Sequence, residues 1–366
     1  MRVAHITTVH TRTDVRIFRK ECVSLSGKFE HVSLVVGDGL GDEVSNGVAI
    51  KDIGRPPKSR MARAAVQSLR MLRHIRRLSP DVVHLHDPEL LPLGLLFSWS
   101  GKKVIYDAHE DVPRQILAKP WIRPVFRRTI SRVFERLENF IARRLAGVVC
   151  ATPHIAARFR PLNEKTIDIN NYPLIDELAP VERKDVLPRA ICYVGGISRI
   201  RGISQLVAAI ALVPNVRLIL CGSFSDRQLE DEISSLPGWS KVEFRGQVGR
   251  EELKAVMGNC IAGVVTFLPL PNHIDAQPNK MFEYMSAELP VVASDFPLWR
   301  KLIVGSGAGV CVDPEQPADI ARGINMLLDD PVGSRKLGEA GRRAVMACYN
   351  WPAEAEKLIN FYGELA

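Results

Sequence analysis

The chain is poor in the features that would place it in several large functional classes. Its seven cysteines (Cys22, Cys150, Cys192, Cys221, Cys260, Cys311 and Cys348) are odd in number, scattered, and include no C-x2-C pair. That pattern argues against a zinc ribbon, a Cys-held iron–sulfur cluster or a redox dithiol, and it fits a reducing cytoplasm. The longest apolar run, Leu90 to Trp99, is broken by Pro92 and Gly94 and falls well short of the ~20 residues of a spanning helix. The start, Met1 to Ile6, reads directly as a strand, so neither a leader peptide nor a membrane span is expected. No G-x-G-x-x-G follows a strand, and G-x-x-x-x-G-K-[ST], G-x-S-x-G, H-E-x-x-H and D-x-D are all missing. A nicotinamide dehydrogenase, a P-loop nucleotidase, a serine hydrolase and a metal-held diphosphate therefore lack support.

What is present is a chain of 366 residues, 46% hydrophobic and 25% charged, long enough for two domains with a core in each. The net charge of +8 conceals an asymmetry. Residues 1–180 carry 29 Lys plus Arg against 19 Asp plus Glu, a net of +10, which leaves −2 for the remainder. Between Gly54 and Pro80 there are eight basic residues and no acid. On a helical projection Arg60, Arg63, Arg70, Arg73 and Arg77 share one side and Met61, Ala65, Leu69 and Leu72 the other, with Arg76 among the apolar residues. A second helix repeats the pattern, with Arg128, Arg132 and Arg136 opposite Phe126, Ile130, Val133 and Leu137. Both fit a solvated face on a core helix or docking to an anionic membrane surface. Aromatics make up 7% of the chain and none interleave these basic residues as stacking platforms, which argues against nucleic acid as a partner.

Short β-branched runs alternate with helical patterns throughout: Val3–Thr8, Val32–Val36, Val48–Ile53, Val82–His86, Val104–Asp107 and Val148–Ala151, then again Ile191–Val194, Val216–Cys221, Val242–Arg245, Ala262–Phe267 and Val291–Ser294. This predicts an α/β fold of two Rossmann-like, doubly wound domains facing a central cleft. Expected boundaries are 1–172, a linker at 173–188, 189–349, and a C-terminal helix at 350–366 packing back on the N-terminal domain.

Two segments in the second half suit an anion. In Tyr193-Val194-Gly195-Gly196-Ile197-Ser198-Arg199-Ile200-Arg201-Gly202, paired glycines permit close backbone approach next to two arginines and a helix start. A tight turn with solvated arginines fits the same residues. In Asp275-Ala276-Gln277-Pro278-Asn279-Lys280-Met281-Phe282-Glu283, Pro278 and Asn279 mark a helix start, so Lys280 opposes the helix dipole unless an anion is bound. Glu283, three residues on, can accept from two vicinal ribose hydroxyls, or form a surface pair with Lys280.

With these residues the chain resembles the GT-B fold, E-x7-E retaining glycosyltransferases, a family 4-like group found in bacterial surface polysaccharide assembly. The resemblance rests on Pro278–Met285 with Pro290–Asp295, supported by Val82–Asp87, Val104–Glu110, Tyr193–Gly196 and Phe244–Val248. It implies transfer from a nucleotide-diphosphate sugar to a polysaccharide or lipid-linked acceptor, with retention and with neither cofactor nor metal. Glu283 would hold the ribose, and Asp275, one methylene shorter than the family's first acid, would approach the donor sugar. Asn279, Lys280 and Arg201 would face the diphosphate, with Gly196 where the family has an arginine and Arg199 as its replacement. Ser223, Gln247 and Val248 fall where the base is contacted. His109 matches a histidine facing the donor sugar, and Arg12 and Arg16 would meet phosphates on the acceptor side. The implied location is cytoplasmic, peripheral on the inner membrane face. A GT-B nucleotide-sugar epimerase and a non-catalytic assembly partner remain alternatives.

Overall fold

Strands that read as unbroken Val/Ile runs must be covered on both faces, which a parallel sheet flanked by helices achieves. The computed structural model describes residues 1–57, 60–119, 122–175, 177–180 and 189–365. The chain divides into two units, Met1–Asn171 with Ala353–Ala366, and Tyr172–Pro352.

The first unit holds eight strands: β1 (Arg2–Ile6), β2 (His31–Val36), β3 (Glu43–Ser45), β4 (Val48–Asp52), β5 (Val82–Leu85), β6 (Lys103–Ala108), β7 (Gly147–Cys150) and β8 (Thr166–Asp168). Their order is β3-β4-β2-β1-β5-β6-β7-β8, parallel except for the β3–β4 pair. The sequence signals missed β3 and β8. Both are three-residue edge strands, too short to carry a period. The C-terminal helix, Trp351–Leu365, packs into this unit, where the Tyr362 hydroxyl meets His84 and a methyl on Gly147 would stand 2.5 Å from the Phe361 ring.

The second unit holds β9 (Ala190–Val194), β10 (Arg217–Cys221), β11 (Val242–Gly246), β12 (Ala262–Val265), β13 (Val291–Ser294) and β14 (Gly309–Val312) in the order β11-β10-β9-β12-β13-β14, all parallel. Successive residues of β9 feed opposite cores: Cys192 packs with Met281, Tyr284 and Trp299, while Ile191 and Tyr193 pack with Leu206, Ile210 and Ile324. The expected linker, 173–188, falls largely on residues outside those described.

Two helix expectations are corrected. In helix Pro124–Ala142 the buried residues are Ser131, Glu138, Ile141 and Ala142, not the apolar stripe. Ser131 donates to the Pro113 carbonyl, and Glu138 accepts from Tyr106 and pairs with Arg158. Phe126, Ile130, Val133 and Leu137 face outward, Val133 at 60% exposure. Periodicity defines a stripe; only polar anchors on the other side decided which stripe turned inward. In helix Arg60–Leu78, side chains are described from Val66 on, so the expectations for Arg60, Met61, Arg63 and Ala65 lie outside the described side chains. Gln67, Met71 and Ile75 are buried; Leu69 and Arg76 are exposed. Arg70 is half-buried and donates to the carbonyls of Ile53 and Arg55.

Candidate functional site

In the second unit the strand order reverses between β9 and β12, so the chain leaves these two strands in opposite directions and opens a crevice at their carboxyl ends. Gly195 has φ +118° and Gly222 φ +147°, and a methyl on Gly222 would lie 2.0 Å from the Gly195 carbonyl oxygen. Only glycine lets these two loops close on each other. Backbone bonds from Gly195 to Cys221, Ile197 to Ser223 and Gly222 to Gly246 then fix them.

Two cations converge on this loop. Arg201 donates to the Gly196 carbonyl at 2.9 Å, and its guanidinium fills the space a side chain at 196 would take, 2.8 Å from a methyl placed there. Lys280 lies in the first turn of helix Asn279–Ser286, 8% exposed. Its Nζ stands 3.9 Å above the Tyr193 ring and would be 2.9 Å from a methyl on Gly195. It has no hydrogen-bond partner among the described residues. Burial, reinforced by Arg201, pushes its pKa well below that of an ordinary lysine. A buried ammonium without a partner is costly unless a ligand supplies one.

Glu283, one turn along the same helix, is held through Oε1 by Arg250 at 2.8 Å, and Arg250 also approaches Glu177 at 3.5 Å. Sequence reasoning missed Arg250. It opens helix Arg250–Gly258, 33 residues from its partner, and nothing in its local pattern marks it. Asn279 is exposed at the helix start, and Ser223 and Gln247 are exposed on the neighbouring loops. Val248 packs against the core, and Asp275 is half-buried in the turn before Pro278. Arg199 is a correction: it turns to the surface and pairs with Glu232. A three-residue turn, Arg199–Arg201, points the two arginines in different directions, so only Arg201 reaches the glycines.

In the first unit the order reverses between β1 and β5. His109, just past β6, is 18% exposed at its side chain, and its Nε2 lies 2.8 Å from Asp107 Oδ2 and 3.2 Å from His86 Nδ1. The His10 ring stands 5.2 Å away and bonds Asp14 at 3.1 Å. Burial opposes a charge on Asp107, but Arg16 and His109 outweigh it and hold the carboxyl well below the usual range. Burial likewise opposes a charge on Asp14, and the bonds from His10 and the Ile17 N–H bring it to about 2.

Arg12 and Arg16 are corrections. Arg16 makes a two-pronged pair with Asp107 at 3.0 and 2.8 Å, faces Glu21 at 3.1 Å and donates to the Ile169 carbonyl. Arg12 grips Asp38 at 2.7 and 2.6 Å and approaches Glu43 at 3.3 Å. Both guanidiniums are buried on carboxylates, and neither faces outward to a phosphate.

Comparison with known proteins covers both units. Residues 14–169 match the family described as Glycosyltransferase Family 4, and residues 175–344 match Glycosyl transferases group 1. A glycogen synthase of Mycobacterium tuberculosis (strain ATCC 25618 / H37Rv) is 22% identical over 313 residues, 82% of this chain and 73% of its own. A GDP-mannose-dependent alpha-mannosyltransferase of Mycobacterium tuberculosis (strain CDC 1551 / Oshkosh) is 24% identical over 358 residues, 91% of this chain and 88% of its own. Among solved structures, sucrose-phosphate synthase from Thermosynechococcus elongatus superposes with a TM-score of 0.81 at 18% identity, covering 99% of this chain and 98% of that one. At that identity the likeness shows the shared fold.

Proposed function

We propose, from the premise that this chain belongs to the GT-B glycosyltransferases of the family 4-like type, that it moves a hexosyl or N-acetylhexosaminyl group from a nucleotide-diphosphate sugar to a glycan or lipid-linked acceptor, with retention of configuration and without a metal at the diphosphate. One observation carries the donor half of this reading: the buried Lys280 ammonium, with no hydrogen-bond partner among the described residues, beside Arg201 and the Gly195-Gly196 loop. A diphosphate placed there gains two cations and the exposed N–H groups of a helix start. As the glycosidic bond breaks, negative charge accumulates on the departing diphosphate, and cations already in position stabilise it without reorganisation. Glu283, oriented by Arg250, accepts from the ribose hydroxyls. Ser223, Gln247 and Val248 line the path to the base, and Asp275 and His109 serve the sugar and the acceptor side.

The outward apolar stripe Phe126, Ile130, Val133 and Leu137, with Arg128, Arg132 and Arg136 exposed on the same helix, supports docking to an anionic inner-leaflet surface. Among the described residues no helix is long and apolar enough to cross a membrane.

The test is nucleotide release from uridine, guanosine and adenosine diphosphate sugars, with and without glycan acceptors. Acceptor-dependent release is expected from one donor class, with loss of donor binding in Glu283→Ala. Release of free sugar with no acceptor requirement would instead identify an epimerase. No release with any pair, together with Glu283→Ala leaving nucleotide affinity unchanged, would identify a non-catalytic homologue.

A further inference from the structure

A second constellation lies in the first unit, inside the sheet. His5 of β1 is in register with His84 of β5, and His86 follows just past the end of β5. Glu21 comes from the π-helical segment Val15–Cys22. All four are buried, and one ligating atom from each lies within 4.8 Å of the others. Histidines in central strands are anomalous among Val and Leu neighbours, and each buried ring nitrogen needs a partner.

The partners are distributed in a telling way. His84 Nδ1 and His5 Nε2 lie 2.7 and 3.3 Å from the Tyr362 hydroxyl, and His86 Nδ1 lies 3.2 Å from Asp107 Oδ2. An ionised carboxylate only accepts, so His86 carries its proton on Nδ1 and turns a lone pair inward on Nε2; the Tyr362 hydroxyl, with one proton of its own, accepts from one of His84 and His5 and donates to the other. The nitrogens turned inward are His5 Nδ1, His86 Nε2 and His84 Nε2. His5 Nδ1 and His86 Nε2 are 2.8 Å apart, and Glu21 Oε2 is 3.9 and 4.0 Å from them. Nitrogens that close share either a proton or a cation. His84 Nε2 and Glu21 Oε2 make no hydrogen bond among the described residues, and Glu21 Oε1 is engaged by the ion pair with Arg16.

We propose that His5, His84, His86 and Glu21 bind a divalent transition-metal ion of the Zn²⁺ type in a closed, four-ligand site that ties β1, β5 and the π-helical segment together. Metal–ligand distances of about 2.0–2.2 Å place tetrahedral ligand atoms roughly 3.3 Å apart, and the four ligating atoms here, 2.8 Å apart for His5 and His86 and all within 4.8 Å of one another, reach that geometry with adjustments of up to about 1.5 Å. Three imidazoles and one carboxylate suit zinc rather than magnesium or calcium. Each histidine already has its outer nitrogen anchored, as metal-bound histidines do. Glu21 and Asp107 face the single guanidinium of Arg16, and a cation supplies the missing positive charge. With four protein ligands there is no open position, so the role is structural.

The test uses the full chain expressed in zinc-replete medium. Elemental analysis should find about one zinc per chain after dialysis. Cobalt substitution should give the visible bands of a tetrahedral site, and a chelator should lower the thermal midpoint. Glu21→Gln and His84→Gln should lose the ion, while His31→Ala, at an exposed histidine, keeps it. Should both variants misfold, the cobalt spectrum of the unaltered chain decides. Two results overturn the proposal: no stoichiometric ion and no cobalt bands, which makes the cluster a shared-proton network, or an ion retained equally by both variants, which makes it adventitious.

Discussion

The two units use the same topological device and treat their cations in opposite ways. In the first, which carries the excess positive charge, Arg12 and Arg16 beside the sheet's carboxyl ends are buried on Asp38, Asp107 and Glu21. Among the described residues of the second, whose net charge is slightly negative, Lys280 is buried with no hydrogen-bond partner and Arg201 donates to a backbone carbonyl rather than to a carboxylate. Net charge therefore points to the half whose cations are already paired. Affinity for an anion depends on cations that are desolvated and unpaired, and a buried arginine already paired with carboxylates contributes to architecture instead.

The contrast can be broken by substitution. The largest effect is expected from Arg16→Met, which strands Asp107 and Glu21 without their counterion; denaturant unfolding should show a loss of about 3–5 kcal/mol. Nucleotide affinity per folded molecule should be unchanged, and a specific loss of nucleotide binding would break the comparison. Next is Lys280→Met, which should lower kcat/KM for the donor about 100-fold while leaving the fold intact, because it removes one cation from the departing charge. The same lysine sets a pH dependence. Its folded-state pKa is lowered, so its contribution to stability rises with pH. The ammonium proposed to meet the diphosphate is lost as pH climbs through that lowered value. Calorimetric affinity for a nucleoside diphosphate should fall about tenfold per pH unit above it, and Lys280→Met should flatten the profile.

A smaller effect sharpens the picture within one loop. Arg201→Ala should weaken donor binding about tenfold, whereas Arg199→Ala breaks an exposed, solvent-screened pair with Glu232 and should leave it unchanged. Equal losses would restore Arg199 to the site. The smallest expected effect is on partitioning to anionic liposomes. Replacing Phe126 and Val133 by Ser should reduce it several-fold, with neutral liposomes as the control. Undiminished binding would mean that another surface is responsible, and loss of a dimer instead would make this helix an interface between copies of the chain.

Much of this was legible from the chain itself. Alternating β-branched runs and helical periods established two doubly wound units, because burial on both faces of a parallel sheet leaves a strong local trace. The glycine pair at 195–196 and the Pro278-Asn279-Lys280 helix start were visible for the same reason: backbone approach and helix geometry are local demands. The Glu283–Arg250 pair joins residues from different helices, and no spacing announces it.

The sequence by itself determined the described strands other than β3, β8 and β14, where the helix at Pro278-Asn279 began, and that cations stood beside glycine turns. Only the tertiary structure decided which of those cations were already satisfied. It also decided that the apolar stripe of helix Pro124–Ala142 faces outward, and that His5, Glu21, His84 and His86 meet. The physical reason is common to all three. Whether a charge or an apolar face is satisfied depends on partners brought from distant parts of the chain, and periodicity, which runs along the chain, cannot register them.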